Sequence, residues 1–156
     1  MLNRALMKGF LGLSITFTSL MTYAASIEGY WKSIDDRTGE QLSIVEIRKG
    51  ADGRYYGKIV YRYPVPGGVA LTHCTKCPPP YTNQPILGLE ILPGLKEDPD
   101  KRNAYDGKVL EPKSGKIYKG KANLSADGKR LRLRGYVGVS ALGRTQVWIR
   151  TDNANP

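Results

Sequence analysis

The sequence is short of the side chains that most often carry catalysis and metal binding. It has one His, His73, and two Cys, Cys74 and Cys77, among 156 residues. A zinc site draws on about four ligands, and no second Cys pair stands near these three, so neither a metal nor a cofactor is expected. All three Met and both Phe fall within the first 24 residues, leaving Ile, Val, Leu, Tyr and Trp to build a core beyond them. The same segment has no acid. No later stretch has convincing helical periodicity or an apolar run long enough to span a bilayer, which excludes a coiled coil and a polytopic membrane protein. With 40% hydrophobic and 24% charged residues, the chain is not a disordered tail either. Its length suits one domain, residues 25–156, since two would each fall near the lower size limit for an independent core.

What the first 24 residues do contain is the pattern of a secretory signal. Arg4 and Lys8 form a basic start, Gly9 to Met21 a short apolar run, and Thr22-Tyr23-Ala24 sets small residues at −3 and −1 of a cut before Ala25. The alternative is an uncleaved anchor helix, which normally needs about 20 apolar residues. The chain is therefore expected to be soluble and exported once the leader is cut, to a periplasm or the outside of the cell. Export bears on Cys74-Thr75-Lys76-Cys77. No βαβ pattern surrounds this pair as it would in a thioredoxin-like site. A structural disulfide on a long loop is the preferred reading in an oxidising compartment, with metal and redox roles as the alternatives.

Alternation and turn chemistry dominate the remaining chain. Strands are predicted over 28–34, 41–49, 54–62, 105–110, 116–124, 130–138 and 145–151. The stretch 86–92, ILGLEIL, reads either as a strand or as a single buried turn. Residues 63–85 carry six Pro, too many lost amide donors for a central strand, and are predicted as a loop. About eight short strands with tight Gly turns argue for an antiparallel barrel or sandwich. The clearest hairpin turns at Ser125 to Lys129. It sets Leu124 opposite Leu131, Ala122 opposite Leu133 and Gly120 opposite Gly135, because a slip of one residue would expose the apolar set. Gly57, Gly107, Gly120, Gly135 and Gly138 within strand patterns fit bends that close a small barrel, or backbone packing on backbone.

Gly29-Tyr30-Trp31 at the start of the first strand, with Arg150 at the end of the last, resembles the signature of lipocalin-like (calycin) barrels. That resemblance implies a Trp at the barrel floor with Arg150 across its ring. A wider set adds Asp35-Asp36-x-Thr38-Gly39, Cys74-x-x-Cys77, 85–92, 107–115, 133–140 and 143–150. Together these resemble a bacterial family of exported domains of unknown function, number 2147 in that series. The resemblance covers nearly the whole chain after the leader and implies an all-β, lipocalin-like antiparallel barrel in the bacterial envelope. It implies no activity, cofactor or partner. One departure is Glu111, where the family's turn motif is expected to hold Asp.

No nucleophile, base and orienting group can be named together. Asp35 and Asp36 sit in a turn, where adjacent side chains point apart and Asp serves the backbone. Ser140 near Arg144 has no neighbouring His. Gly143-Arg144-Thr145-Gln146 either holds an anion in an Arg fork or caps a barrel end with Arg144 paired to an acid. The charge is more telling: the net value is +10, and loss of Arg4 and Lys8 with the leader leaves +8. The hairpin register puts Lys119, Lys121 and Asn123 on one face with Arg132, Arg134 and Tyr136. Like charges opposite one another cost stability, so Lys119, Lys121, Arg132, Arg134 and Arg144 are candidate anion-binding residues. The Tyr are scattered rather than interleaved on one strand, which argues against single-stranded nucleic acid. The expected function is that of a non-catalytic envelope protein binding a small ligand or an anionic envelope component. A structural or interaction module acting through its basic outer face is the alternative, and an enzyme comes third.

If the leader is removed as expected, the intact mass of exported protein will match a chain beginning Ala25-Ser26-Ile27. A full-length, membrane-bound product would overturn the compartment and remove its support for the disulfide.

Overall fold

The computed structural model describes residues 25–156, so the expected leader and its expected cleavage lie outside the described residues. Eight strands follow one another: β1 (Gly29–Ile34), β2 (Gln41–Lys49), β3 (Tyr55–Arg62), β4 (Glu90–Glu97), β5 (Ala104–Glu111), β6 (Lys116–Leu124), β7 (Arg130–Tyr136) and β8 (Arg144–Thr151). Each pairs antiparallel with the next, and β8 returns to β1, giving a closed barrel. Closure gives every strand a paired neighbour on both sides. The all-β antiparallel architecture expected from the sequence is the one formed.

Alternation sets the faces. In β7, Leu131 and Leu133 are buried while Arg130 and Arg132 are exposed. The β6–β7 ladder sets Ala122 against Leu133, Leu124 against Leu131 and Lys121 against Arg134, the register argued from the apolar pattern. Inside, Trp31, Val45, Ile47, Leu92, Leu131 and Trp148 belong to one buried cluster. Gly57 and Gly107 both serve this cluster. A Cβ at Gly57 would stand 2.8 Å from Leu92 Cδ1, so this glycine makes room for a core leucine side chain. One at Gly107 would stand 2.9 Å from Leu95 Cδ2 and 3.1 Å from both the Gly94 carbonyl oxygen and Leu95 Cα, so there backbone also packs on backbone, as expected.

The segment 86–92 divides between the two expected readings. Ile86 to Gly88 form a turn, and β4 begins only at Glu90 and runs on to Glu97. It passes through Pro93, which strand reasoning disfavours. The β4–β5 ladder joins only Lys96 to Asp106 and Glu97 to Tyr105, so Pro93 lies above it and costs no bond there. The predicted loop holds no strand, and its Cys74 and Cys77 form a disulfide. Both cysteines are buried. Cys74 Sγ lies 3.6 Å from the Pro112 carbonyl oxygen, which seats the loop against the β5–β6 turn.

Trp31 of β1 stands directly opposite Arg150 of β8. The guanidinium carbon is 4.3 Å from the Trp31 ring centroid. Its Nε donates to the Gly128 carbonyl at 2.6 Å, Nη1 to Glu28 at 2.7 Å and Nη2 to Ser26 at 2.6 Å. Trp31 Nε1 donates to the Ile27 carbonyl at 2.8 Å, and Ile27 is fully buried. The segment before β1 and the β6–β7 turn are thus drawn over one end of the barrel. Gly29 permits the approach: its φ is +120°, and a Cβ there would lie 3.0 Å from Arg150 Nη1. Burial holds Arg150 below the ordinary guanidinium value, so its charge must be met by the ring face and the three carbonyls.

Lys at this position keeps a charge but not a planar fork. Arg150→Lys is expected to lower the unfolding free energy by about 2–3 kcal/mol, read from urea denaturation. An unchanged midpoint would remove the closure from the account of stability.

Candidate functional site

The strand directions collect four connections at the other end of the barrel: 35–40, 63–89, 112–115 and 137–143. The acids there hold the turns. Asp35 Oδ1 accepts from the backbone N–H of Arg37 at 2.8 Å and of Thr38 at 3.0 Å. Those two bonds hold its carboxyl below the usual carboxylate range. Asp36 receives the Arg144 guanidinium on both oxygens, Nε at 3.3 Å from Oδ2 and Nη2 on Oδ1. Glu111, at the position where the resemblance led to an expectation of Asp, accepts from Ser114 Oγ at 2.5 Å. The bond joins the two ends of the β5–β6 turn. Asp35 and Asp36 therefore serve a turn and an inter-strand clasp, in different directions.

The outer wall of β5, β6 and β7 carries most of the cations expected to bind an anion. Lys119 and Arg132 are exposed, and Lys121 is half-buried. Lys108 of β5 stands directly opposite Lys119, a residue the sequence reading missed. The alternation in 104–111 would have found it once the turn at Pro112 to Gly115 fixed the β5–β6 register. Lys121 lies between Asp106 on one side and Arg134 on the other. Among the described residues, none of Lys108, Lys119, Lys121 and Arg132 forms an ion pair.

Two of the five expected anion-binding residues have partners of their own. Arg144 is taken by Asp36 at the barrel mouth. Arg134 donates from Nε to the Ser140 carbonyl at 2.6 Å, from Nη1 to Thr145 Oγ1 at 2.7 Å and from Nη2 to the Ala141 carbonyl at 3.0 Å. These bonds turn it toward the β7–β8 connection, and so away from the like charge of Lys121 that faces it.

The opposite wall is arranged differently. Across β2, β3 and β4, Glu46 faces Lys58 and Lys58 faces Glu90, so unlike charges meet. Burial raises the Glu90 carboxyl above its usual range, against the pull of Lys58. Among the described residues, hollows open beside β2, β3 and β4. One, about 550 Å³, is lined by Val60, Tyr61, Arg62, Leu87, Ala154 and Asn155. Another, about 310 Å³, lies around Glu46, Tyr56, Lys58 and Glu90. The buried core side chains, Trp31 and Trp148 among them, form one cluster inside the barrel. Small barrels commonly fill in this way.

A family model described as "Uncharacterized protein conserved in bacteria (DUF2147)" matches residues 29–150, and the chain belongs to that family. No curated protein matches it. Among solved structures, the Helicobacter pylori protein HP1028, described as belonging to the lipocalin family, resembles it with a TM-score of 0.65. The two share 22% identity over 81% of this chain and 84% of that one. The likeness shows a lipocalin-like fold.

The two kinds of cation differ in what their removal does. Arg134→Gln is expected to destabilise by about 1–3 kcal/mol, because two carbonyls and a hydroxyl lose a charged donor. Lys121→Gln should be close to neutral, since Lys121 forms no ion pair and stands between Asp106 and an Arg134 that turns away from it. Urea unfolding of both variants separates the roles, and equal losses would contradict the distinction.

Proposed function

We propose that this member of the DUF2147 family acts after export as a non-catalytic envelope protein that holds a phosphate-bearing envelope component on the outer wall of β5, β6 and β7. The observation that carries the reading is the ladder in which Lys108 faces Lys119. Opposed like charges cost folding stability, and the same barrel pairs Glu46, Lys58 and Glu90 with alternating sign on its other wall. A wall that keeps its cations unpaired has a field that attracts anions. The buried disulfide is compatible with an oxidising compartment. Core side chains occupying the barrel favour the outer wall over a small ligand held within it. Arg134 and Arg144 are left out of the proposed site because loop carbonyls and Asp36 already engage them.

The test replaces Lys108, Lys119, Lys121 and Arg132 together by Gln. The fold should survive, with thermal stability equal to the parent or slightly higher. Binding to lipopolysaccharide and to soluble polyphosphate should fall at least about tenfold, since each cation near an anionic surface contributes on the order of 1 kcal/mol. Parent binding should weaken with salt as the Debye length shrinks below about 8 Å. Equal binding by parent and variant would make the wall an ordinary solvated face.

A further inference from the structure

The β7–β8 connection bears an apolar tip that the basic wall does not account for. Val137 is 71% exposed, Val139 61% and Leu142 82%, three large apolar side chains within six positions. The tip is held in shape. Leu142 N donates to the Val139 carbonyl at 3.2 Å and Gly143 N to the Ser140 carbonyl at 3.1 Å, closing a single 3-10 turn at Ser140–Leu142. Arg134 fixes it from below through the Ser140 and Ala141 carbonyls. Gly143 lies so close to β7 that a Cβ there would strike the Gly135 carbonyl oxygen. Several tip carbonyls are thus already bonded, which lowers the cost of moving them out of bulk water.

Cations begin directly beneath the tip. Tyr136, the residue before Val137, faces Lys119, and Lys119 faces Lys108. One residue along a strand is about 3.3 Å and neighbouring strands are about 4.8 Å apart, so the backbone of Lys119 lies roughly 6 Å from that of Val137 and the backbone of Lys108 roughly 10 Å. The β3–β4 loop brings Val65 and the fully exposed Val69 to the same end of the barrel. An exposed apolar tip bordered by unpaired cations and a Tyr matches the depth profile of a membrane surface: acyl boundary first, phosphates next.

We infer that this end of the barrel docks on an anionic lipid leaflet, with Val137, Val139 and Leu142 entering the headgroup and acyl boundary. Lys108, Lys119 and Lys121 then meet the lipid phosphates. The inference rests on the proposed function for its electrostatic part and adds the lipid as the source of the phosphate.

The experiment uses the chain from Ala25 to Pro156. Co-sedimentation is measured with phosphatidylcholine vesicles, with and without phosphatidylglycerol, and binding to soluble polyphosphate is measured in parallel. The parent should bind the anionic vesicles and polyphosphate and bind neutral vesicles weakly. Val139→Asn with Leu142→Asn should lower binding to anionic vesicles at least about tenfold while leaving polyphosphate binding unchanged. The Gln variant of the wall should lose both. Leu142→Trp supplies a reporter that does not depend on disrupting the tip: its added emission should shift to shorter wavelength with anionic vesicles. Equal vesicle binding by the Asn variant, or no spectral shift, overturns tip insertion and leaves the wall reading standing. Polyphosphate binding without vesicle binding overturns the lipid as partner. Failure to bind either probe removes the proposed function and this inference together.

Discussion

Closing a small barrel requires that its first and last strands meet and that one end be sealed against water, and here a single guanidinium does both. Arg150 is drawn out of bulk solvent over the Trp31 ring, where its donors reach carbonyls of the N-terminal segment and the β6–β7 turn. A partly desolvated charge is tolerated only with such a set of acceptors. The same bonds fix the segment that carries Ile27 into the core. At this end the three donors of Arg150 are thus taken up in holding chain segments together.

Much of this architecture is legible in the residues, for physical reasons that can be separated. Strict alternation in 130–136 fixes faces, and a buried face fixes register, which is why the β6–β7 pairing could be written down from sequence. Strand ends and 86–97 were harder. Pro93 looks like a strand breaker until the shortness of the β4–β5 ladder is known, and that length is a property of the barrel. The Trp31 and Arg150 pair came from family resemblance rather than from pattern, since 119 positions of chain separate residues that local chemistry cannot join.

The site was less legible than the fold because charge count is local and charge pairing is not. Arg144 and Asp36 lie 108 positions apart and meet only through closure. Arg134 has the alternation of an outward cation, and its backbone position is outward, yet its side chain bends to the next connection. Sequence periodicity assigns a face to a Cβ, and a long side chain can leave that face. Lys108 is the converse case. Its partner depends on the register that the Pro112 to Gly115 turn gives β5 and β6, and that register, like the one that sets Lys121 against Arg134, places Lys108 against Lys119.

Arg134 also explains how a like-charge wall is compatible with a stable barrel. Were its guanidinium to extend over Lys121, two cations would be opposed within one ladder pair, next to a second such pair at Lys108 and Lys119. By bonding the Ser140 and Ala141 carbonyls and Thr145 it leaves that pair, and Asp106 faces Lys121 from the other side. The repulsion is thereby concentrated in Lys108 and Lys119, nearest the mouth. The same three bonds order the connection that exposes Val137, Val139 and Leu142. One side chain therefore lowers the electrostatic cost of the wall and gives the apolar tip its shape, which couples the two features in the fold before any partner is present.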